Sequence, residues 1–161
     1  MKEMWDLYTQ YREKTGETIE RGEDFPEGYF HLAVSIWIKN SSGEYLLSQR
    51  HPNKQYPLKW ECTGGSVISG ETSLQGAIRE VKEELGINLN AQKGTLVYRK
   101  RRNQQNDFYD VWMFNIDFPL KNIRLQSSEV IEVKWVKKEE ILYMYEENQL
   151  HPLLDNLESI L

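Results

Sequence analysis

The sequence lacks the features that most specialised protein classes require. It has a single cysteine, Cys62, so no internal disulfide can form, and a reducing cytoplasm is the expected compartment. No apolar run approaches the roughly 20 residues that cross a bilayer, and the N-terminus has no signal-peptide core, so we expect no membrane association. Basic residues are not in excess, since 20 stand against 25 acidic ones, which argues against binding to nucleic-acid polymers.

No repeat, low-complexity tract or linker divides the chain. At 161 residues and 39% hydrophobic content, it is long enough for one hydrophobic core and too short for two. We therefore predict a single domain over residues 1–161, with an N-terminal hairpin extension over about residues 1–27. This composition favours small-molecule chemistry.

The hydrophobic pattern predicts strands on both sides of a central helix. A weak alternation over residues 5–21 predicts a hairpin that turns near residues 14–16. Further strands are predicted at residues 30–38, 44–50, 95–102, 108–118 and 130–136, and helices at residues 71–85, 138–148 and 150–161. This order predicts an α/β sandwich with a mixed β-sheet.

One face of the central helix is acidic. Glu80, Glu83 and Glu84 lie at positions i, i+3 and i+4, where like charges destabilise a helix. The helix dipole is also unfavourable for carboxylates near the C-terminal end. A divalent cation would reverse both penalties, and oxygen ligands without His or Cys favour Mg²⁺ or Mn²⁺.

A solvated acidic surface is the simpler interpretation of such a helix, and the neighbouring residues argue against it. Gly64 and Gly65 precede the helix and predict a loop whose backbone can approach a metal or a phosphate. Glu71, at the start of the helix, is within reach of Arg79, two turns later.

Residues 65–87 read GSVISGETSLQGAIREVKEELGI. This segment resembles the Nudix box, G-x5-E-x7-R-E-U-x-E-E-x-G-U, in which U is a bulky aliphatic residue. Every fixed position matches at the right spacing, namely Gly65, Glu71, Arg79, Glu80, Val81, Glu83, Glu84, Gly86 and Ile87.

The resemblance implies an α/β/α sandwich in which the box forms a loop–helix–loop. It implies Mg²⁺- or Mn²⁺-dependent hydrolysis of a nucleoside diphosphate linked to another moiety, and pairing into homodimers is common in the family. Carried onto this sequence, it implies metal ligation by Glu80, Glu83, Glu84 and the carbonyl of Gly64. It also implies that Arg79 and Glu71 form an orienting pair. Family members differ in the general base, which sometimes lies outside the box, and Glu80 or Glu84 is the candidate here.

Two candidates lie outside the box. Arg50 ends the strand before the box, where it could meet a substrate phosphate, and Asp110 could serve as a metal ligand or a base. A solvated strand-end residue is an equally good interpretation of each. The basic cluster at residues 99–102 could gather an anionic substrate, although alternate side chains of a strand face opposite ways. His31 and His51 have no partner pattern, and we expect no chemistry from them.

Two alternatives compete with hydrolysis. The segments flanking the box resemble the isopentenyl-diphosphate-isomerase branch of the family, and His31 matches one metal-binding histidine of that branch. The catalytic Cys-Gly-His segment of that branch is missing, because its Cys and His positions fall on Gly64 and Ser66, and Cys62 lies two residues too early. The second alternative is a module that binds a nucleotide without cleaving it, although such modules usually are fused to a DNA-binding domain or have a broken box.

Overall fold

The computed structural model describes residues 2–161. Within these residues, nine β-strands and three α-helices form. The strands are β1 (Met4–Tyr8), β2 (Lys14–Glu20), β3 (His31–Lys39), β4 (Glu44–Arg50), β5 (Trp60–Glu61), β6 (Thr63–Ser66), β7 (Thr95–Arg102), β8 (Asp107–Asn115) and β9 (Val130–Lys137). The helices are α1 (Ser73–Leu85), α2 (Lys138–Glu146) and α3 (Leu157–Ile160).

Strands β1 and β2 form an antiparallel hairpin, and the other seven form one mixed sheet. Strand β3 is central, since it pairs in parallel with β8 along its whole length and antiparallel with β6. Strand β8 also pairs with β7, and β4 pairs with β5 and β9, all antiparallel. The predicted mixed sheet is therefore confirmed.

Hydrophobic clusters cover both faces of the sheet. On one face, α1 contributes the buried residues Val81 and Leu85. On the other face, α2 and α3 contribute Ile141 and Ile160. These three layers confirm the predicted α/β sandwich. Among residues 2–161, no helix is long and apolar enough to cross a membrane.

Helix α1 has well-defined ends. Its N-cap is Thr72, whose hydroxyl accepts a hydrogen bond from the Gln75 backbone, while the Gln75 side chain accepts one from the Thr72 backbone. This capping box starts the helix two residues later than the periodicity predicts. Gly86 adopts a left-handed conformation with φ of 69° at the C-cap, which confirms its predicted role as the stop signal.

Two expectations about the terminal segments are wrong. Residues 150–161 do not form one helix, because only Leu157–Ile160 is helical. The start of this segment is extended, since the His151 N–H donates to the Trp60 carbonyl and the Trp60 N–H donates to the Gln149 carbonyl, both at 2.9 Å. The N-terminal hairpin is confirmed, but its turn spans residues 9–13 rather than 14–16, which begin β2.

Candidate functional site

The three carboxylates of α1 differ in exposure. Glu84 is 7% exposed, the Glu80 side chain is 13% exposed and the Glu83 side chain is 51% exposed. Burial is the main cause that raises the pKa of Glu80 to about 7, against the opposing effect of Arg79. Burial, reinforced by the charge of Glu80, also raises the pKa of Glu84 well above its usual range. Helix α1 therefore holds two carboxylates in surroundings that disfavour their charge.

Arg79 joins the helix to the segment that precedes it. Its Nε donates to Glu71 at 2.7 Å, and its Nη2 donates to Glu71 at 3.2 Å and to the Ser66 carbonyl at 3.0 Å. Its Nη1 donates to Glu80 at 2.9 Å and to Glu83 at 3.2 Å. The pair between Arg79 and Glu71 is thus formed, and it fixes the direction from which Arg79 contacts the other two carboxylates.

The glycines before the helix do not form the predicted loop. Gly64 and Gly65 belong to β6, and their backbone pairs with the central strand β3. The reason for glycine is close packing. A Cβ on Gly65 would lie 2.5 Å from the carboxyl carbon of Glu80, and one on Gly64 would lie 2.8 Å from the carbonyl oxygen of Val34. Strand β6 therefore lets the Glu80 carboxylate rest against its backbone.

These residues surround a cavity of about 360 Å³, which we call the acidic basin. The sequence predicts part of its lining, namely Gly64, Arg79, Glu80, Glu83, Glu84 and Arg50. Other lining residues come from distant segments that carry no motif, including Glu3, Arg21, Lys54, Gln126 and Glu129. Each is an ordinary polar residue in the sequence, so only the fold identifies it.

The chemistry of the acidic basin fits a hard divalent cation. The side chains there that could bind a metal are carboxylates. Among residues 2–161, no Lys or Arg forms an ion pair with the buried Glu84. A buried carboxylate without a cation is costly, and a metal ion would remove that cost. In the described part of the chain no group of three acidic, His or Cys side chains is already drawn together as a metal cluster, and Arg79 forms ion pairs with Glu80 and Glu83.

A second cavity, of about 370 Å³, lies beside the acidic basin. We call it the sheet cleft. It is bounded by the hairpin, the sheet and the segment before α3, and its lining includes Trp5, His31, Ser35, Glu61, Cys62, Arg102, Asp107, Tyr109, His151 and Leu154. The two cavities share Arg50 and the β6 residues Gly64, Gly65 and Ser66. A ligand could therefore extend from one cavity into the other across β6.

Arg50 and Asp110 have different surroundings. Arg50 lies between the cavities, where its Nη1 donates to both carboxylate oxygens of Glu61, at 2.9 and 3.1 Å. Asp110 lines neither cavity and is 1% exposed. Burial opposes its ionisation, but hydrogen bonds from Arg12 and Arg99 outweigh this effect and lower the pKa of Asp110. The structure thus brings Arg50, but not Asp110, to the helix carboxylates.

The basic cluster on β7 is divided between the two faces of the strand. Arg99 pairs with Asp110 and Arg101 lies over the ring of Phe30. Lys100 pairs with Asp155 and Arg102 pairs with Asp107. Of the four basic residues, only Arg102 lines the sheet cleft, so the cluster does not act as one anion-gathering patch there.

Comparison with known proteins decides the family. The model of the NUDIX domain matches residues 29–157. The chain belongs to the Nudix family. An uncharacterised Nudix hydrolase of Listeria monocytogenes is 38% identical over 143 residues, which cover 86% of this chain and 82% of that protein. Nudix hydrolase 3 of Arabidopsis thaliana is 36% identical over 152 residues, which cover 86% of this chain but 20% of that protein.

A solved structure shares the fold of this chain. A Deinococcus radiodurans protein superposes with a TM-score of 0.75 at 23% identity, covering 92% of this chain and 91% of that one. This Nudix protein is accordingly a hydrolase of the class that acts on phosphorus-containing acid anhydrides. Its N-terminal hairpin precedes the matched residues, yet Glu3 and Trp5 of that hairpin line the two cavities.

Proposed function

We propose that this Nudix hydrolase is a Mg²⁺- or Mn²⁺-dependent pyrophosphohydrolase that cleaves the diphosphate linkage of a nucleoside diphosphate or one of its derivatives. The observation that carries this proposal is the junction of the two cavities. A diphosphate lying across β6 would have its phosphates at the acidic basin and its attached moiety in the sheet cleft. We place the enzyme in the cytoplasm, in keeping with its single, buried cysteine, Cys62.

In this proposal Glu80, Glu83 and Glu84 hold the metal, with the Gly64 carbonyl as a further ligand. A cation held by these residues would supply the positive charge that offsets the phosphates and would make a bound water molecule more acidic. Glu80 and Glu84 are the more buried of the three carboxylates, so we assign the acceptance of the water proton to one of them. Arg79 acts as a positioning residue, because its bonds to Glu71 and Ser66 fix where it holds Glu80.

The isomerase alternative requires an acidic thiol next to the substrate. Cys62 lines the sheet cleft but is 2% exposed, and burial raises the pKa of its thiol. A damaged box usually accompanies the non-catalytic alternative, whereas every carboxylate of the box is present here. Hydrolysis is therefore the better-supported function.

The test measures phosphate or nucleotide release from nucleoside diphosphates, nucleoside triphosphates, nucleotide sugars and isopentenyl diphosphate, with Mg²⁺, with Mn²⁺ and with a chelator. We expect metal-dependent release from at least one compound. Isomerisation of isopentenyl diphosphate without hydrolysis would support the isomerase alternative. Tight nucleotide binding without turnover would support the non-catalytic module. Size-exclusion chromatography with light scattering on the same samples tests the predicted homodimer.

A further inference from the structure

The N-terminal hairpin precedes the residues that match the NUDIX domain, yet one of its side chains binds a segment of the Nudix box. Asp6, on β1, accepts hydrogen bonds from the Ser69 hydroxyl at 2.7 Å and from the Gly70 N–H at 3.0 Å. A backbone contact lies beside them, since the Ser69 N–H donates to the Met4 carbonyl at 2.7 Å. The two hydrogen bonds of Asp6 therefore join positions that are 63 and 64 residues apart in the sequence.

Ser69 and Gly70 are the two central residues of a tight turn that ends at Glu71. The Glu71 N–H donates to the Ile68 carbonyl at 3.1 Å, and Gly70 has a φ of 87°, as is typical of the third residue of a type II turn. The turn also orients the Glu71 side chain, whose Oε2 accepts a hydrogen bond from the Ile68 N–H at 3.2 Å. Asp6 thus binds both central residues of the turn from which Glu71 reaches Arg79.

Glu71 is the link between this turn and the helix carboxylates. Its carboxylate accepts two hydrogen bonds from Arg79, and Arg79 also donates to Glu80 and Glu83. A displaced turn would move Glu71, and Arg79 would then lose the partner that fixes its direction. The positions of Glu80 and Glu83 therefore depend on the turn that Asp6 binds.

Asp6 is directed at the turn by the geometry of the hairpin. The register between β1 and β2 shifts between Asp6 and Tyr8, and such irregularities often redirect a side chain next to an active site. The Asp6 side chain is 18% exposed and pairs with Lys14 of β2 at 3.2 Å. Burial opposes its ionisation, but hydrogen bonds from Gly70, Ser69 and Lys14 outweigh this effect and lower the pKa of Asp6. Its bonds to the turn are therefore charge-assisted, and stronger than those of a neutral acceptor.

We propose that Asp6 is a positioning residue of the metal site, which acts by fixing the turn from which Glu71 reaches Arg79. The inference rests on the proposed function, because the site that Asp6 positions is the one assigned to the helix carboxylates. Without Asp6, the turn and the carboxylates must be ordered when the cation binds, which weakens binding. Loss of a group that orients a metal ligand typically lowers metal affinity about tenfold to 100-fold. Asp6 acts through Glu71 and Arg79, so we expect the lower end of this range.

The test compares four variants with the unaltered protein. Asp6→Ala removes both hydrogen bonds to the turn, and Ser69→Ala removes one of them from the other side. Asp6→Asn keeps an acceptor oxygen for the Gly70 N–H and removes the charge that pairs with Lys14. Lys14→Met is the matched control, because it removes the ion pair within the hairpin and leaves the bonds to the turn in place. Thermal melting of each protein establishes that it is folded before any comparison.

Two readouts separate positioning from stability. Calorimetry measures the binding of Mn²⁺ in the absence of substrate, and steady-state kinetics measure the Mg²⁺ concentration that gives half-maximal turnover. We expect Asp6→Ala to weaken Mn²⁺ binding and to raise the Mg²⁺ requirement about tenfold, with kcat at saturating Mg²⁺ within about threefold. We expect Asp6→Asn to recover most of both losses and Lys14→Met to match the unaltered protein.

A double-mutant cycle tests whether Asp6 acts through the turn. Ser69→Ala alone should weaken Mn²⁺ binding about threefold, as expected for the loss of one hydrogen bond. In the Asp6→Ala background it should weaken binding no further, because the acceptor of that hydrogen bond is already absent. Losses that simply add would show that the two residues act independently, and would contradict the inference.

Two further results would overturn the inference. One is unchanged Mn²⁺ binding in Asp6→Ala, and the other is equal weakening in Asp6→Ala and Lys14→Met, which would show that only the stability of the hairpin matters. If the unaltered protein binds Mn²⁺ but hydrolyses no compound, the proposed hydrolysis fails, yet the calorimetry still decides the role of Asp6. If Asp6→Ala does not fold, Ser69→Ala provides the decision, since unchanged Mn²⁺ binding in that variant contradicts the inference.

Discussion

The acidic basin and the sheet cleft share a wall of β6 residues and arrange their charges in different ways. In the sheet cleft, each carboxylate is held by an arginine, as in the pairs of Asp107 with Arg102 and Glu61 with Arg50. In the acidic basin, Arg79 reaches Glu80 and Glu83, while Glu84 is buried without an ion-pair partner among the described residues. Every carboxylate is therefore paired on one side of the wall, whereas Glu84 is left without a pair on the other.

This difference indicates what each cavity can accept. A cavity that leaves a carboxylate unpartnered gains most from a cation, because the metal removes a desolvation penalty that the chain cannot remove itself. A cavity whose charges are already paired, as in the sheet cleft, gains most from an uncharged group. The phosphates and the attached moiety of one substrate would thus be recognised by separate means on the two sides of β6.

The largest effect on turnover is expected from a change at Glu84, and this change should affect the acidic basin without affecting the sheet cleft. Glu84→Gln removes the charge and keeps the shape of the side chain, so turnover should fall about 10³-fold or more through the loss of metal ligation. The melting temperature in the absence of metal should stay the same or rise, because a buried unpaired carboxylate is replaced by a neutral amide. Steady-state kinetics with Mg²⁺ and thermal melting measure the two effects.

The matched control for Glu84→Gln is Glu132→Gln, at an exposed position of β9. It should leave turnover unchanged. Nucleoside monophosphate binding to Glu84→Gln without metal should also stay as it is in the unaltered protein, because the sheet cleft is untouched. An active, Mg²⁺-responsive Glu84→Gln protein would contradict the assignment of the metal site.

A smaller effect comes from the shared wall itself. Gly65→Ala places a methyl group where the Glu80 carboxylate lies, so this flexible side chain must move. We expect a Mg²⁺ requirement about tenfold to 100-fold higher, comparable to the loss of a group that orients a metal ligand. Titration of turnover with Mg²⁺ measures this change.

The neighbouring glycine supplies a contrast. Gly64→Ala meets the backbone carbonyl of Val34 rather than a side chain, so the strand must shift. The free energy of unfolding should fall by about 1–3 kcal/mol, whereas Gly65→Ala should have little effect on it. Equal losses of stability in both variants would argue that β6 is only a packing element and that Gly65 has no specific role at Glu80.

Sequence and structure agree best where residues that act together are close in the chain. Glu80, Glu83 and Glu84 fall on one helical face by periodicity alone, and the distance between Glu71 and Arg79 is about two helical turns. The structure brings the last two together at 2.7 Å. The C-terminal boundary of α1 followed from the same local signals, because the Gly86 cap is local, whereas the helix starts two residues later than predicted.

The sheet cleft could not be predicted in this way. Trp5, His31 and Asp107 come from three separate strands, and their relation depends on the parallel pairing of β3 with β8 and on the docking of the hairpin. His31 has no partner pattern in the sequence, and only the fold stacks its ring on Trp5. Residues 150–161 were predicted as a helix for a related reason, since a tertiary pairing with Trp60 overrides the local propensity.

The smallest expected effect on catalysis concerns Asp110, which the sequence suggests as a metal ligand or base and which the structure places outside both cavities. Asp110→Asn removes the charge held by Arg12 at 2.6 Å and by Arg99 at 2.9 Å. Leaving two guanidinium groups without their carboxylate should cost about 3 kcal/mol of stability, or about 6–12 °C in melting temperature. Below the melting transition, kcat should stay within about threefold of the unaltered value, as it should in the exposed control Asp24→Asn. A large loss of kcat with unchanged melting would place Asp110 in the chemistry, and the separation of the helix carboxylates from this ion-pair network would then be wrong.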